Sequence, residues 1–396
     1  MEKYYFTSEA VTEGHPDKIC DLISDAILDT ALKEDEKSKM AVEVTIKDDL
    51  VLIYGEAKTT AKIDYESIAK KVIRKIGYDE KFNVITKISE QSKEISDAVE
   101  KDITCAGDQG IMFGYACDET KELMPTAIVF ANKLAKRLAD VRKCDVNTPL
   151  KPDGKTQVTI EYVDGNVNRV DTIIISSQHK KGVSIEELRD YIIKNVINEV
   201  IPKNLIDNAT KILINTSGSF VVGGPFGDSG TTGRKIICDT YGGYSRIGGG
   251  CLSSKDPSKV DRSAAYYARY VAKNVVAHNL AGRCEIQVSY AIGISKPISL
   301  SSNSSFFLFT ILESSFKSFA TKLSTGRIIL SVLFLNIVFS DRSAKTSLTL
   351  ANIEAMAEQE SPDGERKDLC LQAGYICVGI DKNGIDGEHH GLMRGE

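Results

Sequence analysis

Residues 215–263 gather the side chains best suited to handling a polyanion. Eleven of the chain's 30 glycines lie between Gly218 and Gly250, a density that exposes backbone N–H groups and permits unusual dihedrals. The cations Arg234, Lys235, Lys255 and Lys259 are interleaved with the carboxylates Asp228, Asp256 and Asp261. Small residues let backbone donors approach a polyphosphate while lysine and arginine neutralise its charge. Aspartates beside phosphates suit Mg2+, which keeps several waters and takes one or two carboxylates. Any one Gly–Gly pair reads as a tight turn; the whole ordered run reads as a nucleotide site. It is not a Walker loop, because no G-x-x-x-x-G-K-[ST] occurs. A second charged cluster, Gly14-His15-Pro16-Asp17-Lys18, stands where a helix begins. The electropositive helix end offers free N–H groups to an anion, although alone His15 reads as a turn residue and Asp17 as a helix-end charge.

Several elements must position these groups. Ile19, Leu22, Ile23, Ala26, Ile27 and Ala31 recur at helical spacing, which predicts an amphipathic helix entered through Pro16. Residues 40–61 hold two β-rich runs joined at Lys47-Asp48-Asp49, a predicted hairpin. Glu43 faces away from Val42 and Val44, and Glu56 ends the second strand. A helix over 64–78 stops at Gly77, and a strand follows at 83–88. Beyond it the charge-rich stretch QSKEISDAVEKD reads as a mobile segment. Next come a strand at 111–115, a helix at 124–142, and KPDG as a turn into alternating strand residues. On that reading Lys155 is a hairpin-tip lysine. A strand at 172–177, helices at 185–200 and 264–280, and a strand at 285–292 complete the series. Two strand–strand–helix units therefore precede the glycine-rich core, and a third begins within it.

A chain of 396 residues, 42% of them hydrophobic, has material for two or three domains. Its net charge of −5, without a basic stripe, argues against nucleic-acid binding. Nine cysteines without a C-x-x-C pair read as reduced thiols rather than a disulfide framework. The first residues, MEKYYFTSEAVTEGHPDK, carry no apolar leader. A cytoplasmic protein that enters no membrane is the expectation.

GGPFGDSGTTGRKIICDTYGG and KDPSKVDRSAAY closely resemble the central signatures of the S-adenosylmethionine synthetases, and GHPDK, CAGDQG and QVSYAIG extend the likeness. The resemblance implies an α+β fold of three similar strand/helix domains around a pseudo-threefold axis. It divides the chain into an N-terminal domain at 1–92, a gating loop at 93–106, a central domain at 107–220 and a partial C-terminal domain at 221–297. The implied reaction joins the sulfur of L-methionine to C5′ of ATP and hydrolyses the expelled triphosphate to pyrophosphate and phosphate. By resemblance His15, Lys155, Arg234, Lys235 and Lys255 are catalytic, acting on the triphosphate. Asp153, Ser219, Phe220, Asp228 and Cys251 complete the ATP contacts. Glu56, Gln91, Asp228 and Lys259 meet methionine; Asp17 and Asp261 bind Mg2+, and Glu43 binds K+. Homodimers or homotetramers with active sites at the dimer interface are implied too. The chain departs from the pattern at Tyr54 and Cys105, each replacing a glycine, and at Ser219, replacing a basic residue. Cys251-Leu252-Ser253-Ser254 stands where AFSG is usual. Losing a cation and a glycine beside the phosphates points toward weaker ATP binding.

After Pro297 the family's motifs stop, and the third domain is expected to be incomplete or altered. Residues 298–396 are expected to be an atypical tail. Lys322 and Arg327 precede the apolar run Ile328–Phe339, and small and polar residues follow it. That order is like a signal-peptide core displaced to the interior; a buried strand or helix is the equal alternative, and the run is too short for a membrane span. LANIEAMA resembles a signature of short exported peptides, which suggests a junction near residue 298. Two alternatives accompany the synthetase reading: an inactive chimeric or truncated nucleotide-binding protein, and a phosphoryl-transfer protein that never uses methionine. Glu56 and Gln91 argue against the latter, because phosphoryl transfer does not need them. His389-His390 reads as solvated.

Overall fold

The structure, a computed structural model, describes residues 2–90 and 105–303, with short strands at 368–369, 378–381 and 384–386. The chain forms two compact units, residues 1–91 with 115–257 and residues 92–114 with 258–396. The apolar run at 328–339, the LANIEAMA stretch, His389-His390, Gln91 and most of the expected gating loop lie outside the described residues.

In the first unit, β2 (Lys39–Lys47) and β3 (Leu50–Lys58) form the predicted antiparallel hairpin. Helix α2 (Tyr65–Ile76) crosses over to β4 (Asn83–Ser89), parallel to β3. Period-two alternation decides which face is buried. Met40, Val42, Val44 and Ile46 point inward, with Val51 and Ile53 beside them. They pack on Ile19, Ile23 and Ile27 of α1 (Pro16–Glu34) and on Ala69 and Ile73 of α2. Glu43 alternates with those apolar residues and stays half-buried on the other face. Leu22, expected on the apolar stripe of α1, is instead 40% exposed. It lies one position to the side of the Ile19–Ile23–Ile27 row, beyond the width of the buried face.

The other sheet of this unit has the order β1-β6-β7-β8, from β1 (Lys3–Val11), β6 (Leu150–Val163), β7 (Asn166–His179) and β8 (Lys211–Ile214). Strand β1 goes beyond the elements expected from the sequence. It pairs antiparallel with β6 from Lys3↔Val163 to Val11↔Lys155. Its run of polar and aromatic residues lacks clean alternation, so a long-range partner creates the strand. The expected KPDG turn is not a turn. Strand β6 already begins at Leu150, and the pairing with β7 shifts between Leu150 and Gly154. Lys155 therefore sits within the sheet, opposite Val11 on one side and Ser176 on the other. Helix α3 (Thr126–Cys144) and α4 (Ile185–Ile192) cover the sheet with Leu134, Leu138, Leu188 and Ile192 against Val158, Ile160, Ile173 and Ile175. A π-helical turn, Ile193–Ile197, extends α4.

The glycine-rich stretch of this unit is mostly loop, with one strand pair, β9 (Gly230–Thr231), added to the edge of β2, and one short helix, α5 (Ile236–Asp239). In the second unit, α6 (Val260–Ala277) accompanies a sheet of order β11-β10-β5, formed by β10 (Arg283–Tyr290), β11 (Ser299–Asn303) and β5 (Gly110–Cys117), whose last three residues belong to the first unit. The sheet continues past Pro297, since Ser299–Asn303 pair antiparallel with Glu285–Ser289. Mixed strands and helices agree with the α+β expectation. Among the described residues no helix is long and apolar enough to cross a membrane.

Candidate active site

The entry to α1 is the centre of the site in the first unit. His15 is the N-cap residue, and its Nδ1 accepts a hydrogen bond from the Asp17 N–H at 3.2 Å. With Nδ1 an acceptor, the neutral ring carries its proton on Nε2. Burial, then the charges of Lys235 and Lys155, push the His15 pKa down to about 4. The imidazole is therefore a neutral hydrogen-bond donor near pH 7, and not a further cation. The loop before it is tied to β6. Thr12 N donates to the Gly154 carbonyl at 2.9 Å, and Thr12 Oγ1 donates to the Pro152 carbonyl at 2.7 Å. Tyr78 OH donates to the Gly14 carbonyl at 2.8 Å. The irregular start of β6 and the GHPD loop are thus one construction.

Asp17 is 1% exposed and collects three donors. Its Oδ1 accepts from Thr231 N at 2.9 Å, Lys235 Nζ lies 2.5 Å from Oδ2, and Arg234 Nε lies 3.5 Å from Oδ1. Burial works against its charge, but the Lys235 bond, the Thr231 N–H and Arg234 outweigh it and hold the carboxyl below its usual range. The approach of β9 requires glycine at 230, where a Cβ would stand 2.2 Å from the Pro16 carbonyl oxygen. One turn along α1, Asp21 accepts Gly233 N–H at 2.8 Å and Lys18 Nζ at 2.9 Å, and Lys18 also pairs with Asp239 of α5. Burial raises the Asp21 carboxyl to about 6. Lys18, Asp21 and Asp239 thus hold both ends of the segment bearing Arg234 and Lys235. Sequence reasoning missed this trio, although Lys18 and Asp21 are three residues apart on one helix face.

Asp153 is buried and accepts the Gly224 N–H at 2.7 Å. Burial lifts its carboxyl to about 6 despite that bond and the nearby Lys155 charge. Lys155 itself is exposed. Phe220 is fixed by a pair of bonds to His179: its N–H donates to Nε2 at 3.0 Å, and its carbonyl accepts the His179 N–H at 2.9 Å. Ser219 beside it is exposed, as is Asp228, whose Oδ1 accepts the Ser229 N–H at 2.8 Å. The field of Asp228 reaches both His15 and Asp153. These residues, far apart in the chain, surround the GHPD loop and the start of β6.

Residues 251–256 approach the edge of β2. Lys255 forms an isolated bridge with Ala41, and Ala41 also pairs with Glu56 of β3. Asp256 Oδ2 accepts the Met40 N–H at 2.7 Å. Glu43 Oε1 accepts the Ser254 hydroxyl at 3.3 Å. Burial raises the Glu43 carboxyl, and Ser254 and Lys255 act in the other direction. Cys251 packs against Gly233, where a Cβ would come within 2.5 Å of the Cys251 Cβ. Lys259 is the N-cap of α6 and Asp261 lies in its first turn, both in the second unit.

Among the described residues no group of three or more His, Cys, Asp or Glu side chains could hold a metal ion. Asp17 offers a hard oxygen ligand whose protein partners are themselves cations. That suits Mg2+ shared with a polyphosphate better than a metal caged by protein alone. Glu43 with the Ser254 hydroxyl offers oxygen only, a donor set that fits a weakly held monovalent cation.

Three domain families of one enzyme match the chain in order. S-adenosylmethionine synthetase, N-terminal domain, matches residues 3–101; the central domain matches 103–220; the C-terminal domain matches 222–325. The S-adenosylmethionine synthase of Desulfosudis oleivorans (strain DSM 6200 / JCM 39069 / Hxd3) is 52% identical over 310 residues, covering 75% of this chain and 80% of the relative. By these matches the chain, with its GHPD, GRK and KDPSK motifs, belongs to the S-adenosylmethionine synthetase family.

Proposed function

We propose that this chain forms S-adenosylmethionine from ATP and L-methionine, with the methionine sulfur attacking C5′ and the triphosphate then hydrolysed to pyrophosphate and phosphate. The observation that carries the reading is the buried Asp17 carboxylate held between Lys235, Arg234 and the Thr231 N–H beside the His15 cap. A thioether is a neutral nucleophile and needs no general base, so the difficulty lies in charge building on the leaving triphosphate. Preorganised cations and N–H donors lower that cost where water is excluded. Arg234, Lys235, Lys255 and Lys155 supply the charge. Neutral His15 donates from Nε2 to a phosphate oxygen. Asp17 and Asp261 would hold Mg2+, which neutralises phosphate charge when bound, and Glu43 would hold K+. Asp153, Ser219, Phe220, Asp228 and Cys251 complete the nucleotide contacts. Glu56, Gln91, Asp228 and Lys259 orient methionine so that sulfur and C5′ are in line.

The family's wider organisation belongs to the same proposal: domains near 1–92, 107–220 and 221–297 around a pseudo-threefold axis, a gating loop at 93–106, and homodimers or homotetramers with sites at the dimer interface. The recurrence of sheet-plus-helix elements supports it. A cytoplasmic setting is supported by the seven free cysteines among the described residues. The test is to incubate the full chain with ATP, methionine, Mg2+ and K+ and to follow S-adenosylmethionine by mass spectrometry beside Asp17→Ala. Product that persists at the wild-type rate in Asp17→Ala, or none from folded wild type, would sink the proposal.

A further inference from the structure

We infer that His179 is a positioning residue for the nucleobase: its imidazole fixes the backbone of Phe220 and thereby aims that ring at the base of ATP. This rests on the reading of Phe220 as an ATP contact. His179 is the last residue of β7 and is 2% exposed. Its Nε2 accepts the Phe220 N–H at 3.0 Å, and a backbone N–H can only donate, so the ring proton sits on Nδ1. Nδ1 in turn donates to the Lys180 carbonyl at 3.0 Å. Both ring nitrogens are therefore committed, which leaves this imidazole free neither as a base nor as a metal ligand. The His179 N–H donates to the Phe220 carbonyl at 2.9 Å. One residue thus satisfies both backbone polar groups of the other.

The loop after Phe220 is held by the neighbouring residue of β7. Gln178 Nε2 donates to the Val221 carbonyl at 3.0 Å, and its Oε1 accepts the Asp153 N–H at 3.3 Å. A Cβ at Gly223 would stand 2.8 Å from Gln178 Cδ and 2.9 Å from Phe220 Cε2, so the ring lies against the glycine. Phe220 is half-buried, which leaves part of it to meet a ligand. A phenyl ring has no charge or donor for phosphate, but its face suits a planar heteroaromatic base. Of the parts of ATP, the base is then the one whose binding depends on Phe220, and through it on His179. Tripolyphosphate has no base, and its binding falls to Lys155, Arg234 and Lys235.

Three variants test this: His179→Asn, His179→Gln and Phe220→Leu, each measured for Tm, ATP KM and the inhibition constant of tripolyphosphate against ATP. An asparagine amide reaches the place of Nδ1 and keeps the bond to Lys180, but offers the Phe220 N–H no acceptor. A glutamine carbonyl reaches the place of Nε2 and keeps that acceptor. The expected result is an ATP KM raised about 10-fold in His179→Asn and within about twofold of wild type in His179→Gln, with the tripolyphosphate constant unchanged in both. Phe220→Leu should likewise raise the ATP KM alone. ATP and tripolyphosphate constants that rise together in His179→Asn would assign a purely structural role and overturn the inference. So would a His179→Gln protein that melts like wild type but binds ATP as poorly as Phe220→Leu. If Phe220→Leu raises the ATP KM while His179→Asn leaves it unchanged, only the inference falls. An unchanged ATP KM in Phe220→Leu would remove the Phe220 reading and the inference together.

Discussion

Asp17 is buried with two cations on it, so its charge and theirs are mutually dependent. Removing the negative charge leaves Lys235, mostly buried, beside a neutral amide. Asp17→Asn is therefore expected to cost about 2–3 kcal/mol of stability, read as a fall in Tm, and to abolish most product formation. A stable Asp17→Asn protein with normal turnover would show that the ion pair is dispensable. His15 gives a pH prediction with a definite sign. Its folded pKa of about 4 lies below the ordinary 6.5, so the unfolded chain takes up a proton first as pH falls. The native state loses stability between pH 6.5 and 4 from this group and has its full contribution above 6.5. The loss is on the order of 3 kcal/mol. Asp21 and Asp153, both raised to about 6, act in the opposite direction over the same range. The test is thus the difference between wild type and His15→Gln: the gap in Tm should move in favour of the variant as pH drops. A constant gap would contradict a neutral buried imidazole.

At the scale of elements, β9 is only two residues long, yet it delivers the Thr231 N–H to Asp17 and leads directly into Arg234 and Lys235. Its position depends on contact with the first turn of α1 at Gly230. Gly230→Ala would force backbone apart there, and a loss of about 2 kcal/mol or more is expected. ATP binding should weaken with it, since the strand carries the phosphate-binding segment. Calorimetry showing unchanged stability and ATP affinity in this variant would contradict that coupling. The start of β6 has the same character: an interrupted ladder that presents Asp153 inward and Lys155 outward. An ordinary strand with no shift would not present both to the GHPD loop.

For the whole molecule, binding energy appears as stability. Nucleotide that binds only the folded chain should raise its stability by about 2.7 kcal/mol at 100-fold excess over Kd. The upward shift in Tm with ATP and Mg2+ should be lost in Asp17→Ala. A shift retained in full would place the nucleotide away from Asp17. Light scattering on the same sample measures the proposed homodimer or homotetramer directly.

Much of this protein was legible in its residue order. The α1 stripe, the β2–β3 hairpin with Glu43 on the opposite face from Val42 and Val44, and the helices over 126–144 and 185–200 follow from local periodicity, which depends only on near neighbours. The charged motifs were legible too, because each is contiguous. Strand β1 was not, since its partner lies about 150 residues away and its own pattern is weak. Nor was the role of KPDG, which reads as a turn until β1 and β7 claim its backbone. Ser254 marks the limit most clearly: its type and its departure from the family motif are sequence facts. Its left-handed backbone and its bond to Glu43 were decided only when tertiary packing fixed residues 251–256 against β2. Side-chain spacing encodes which face of an element is apolar; which buried polar groups meet is set by long-range contacts that no local pattern contains.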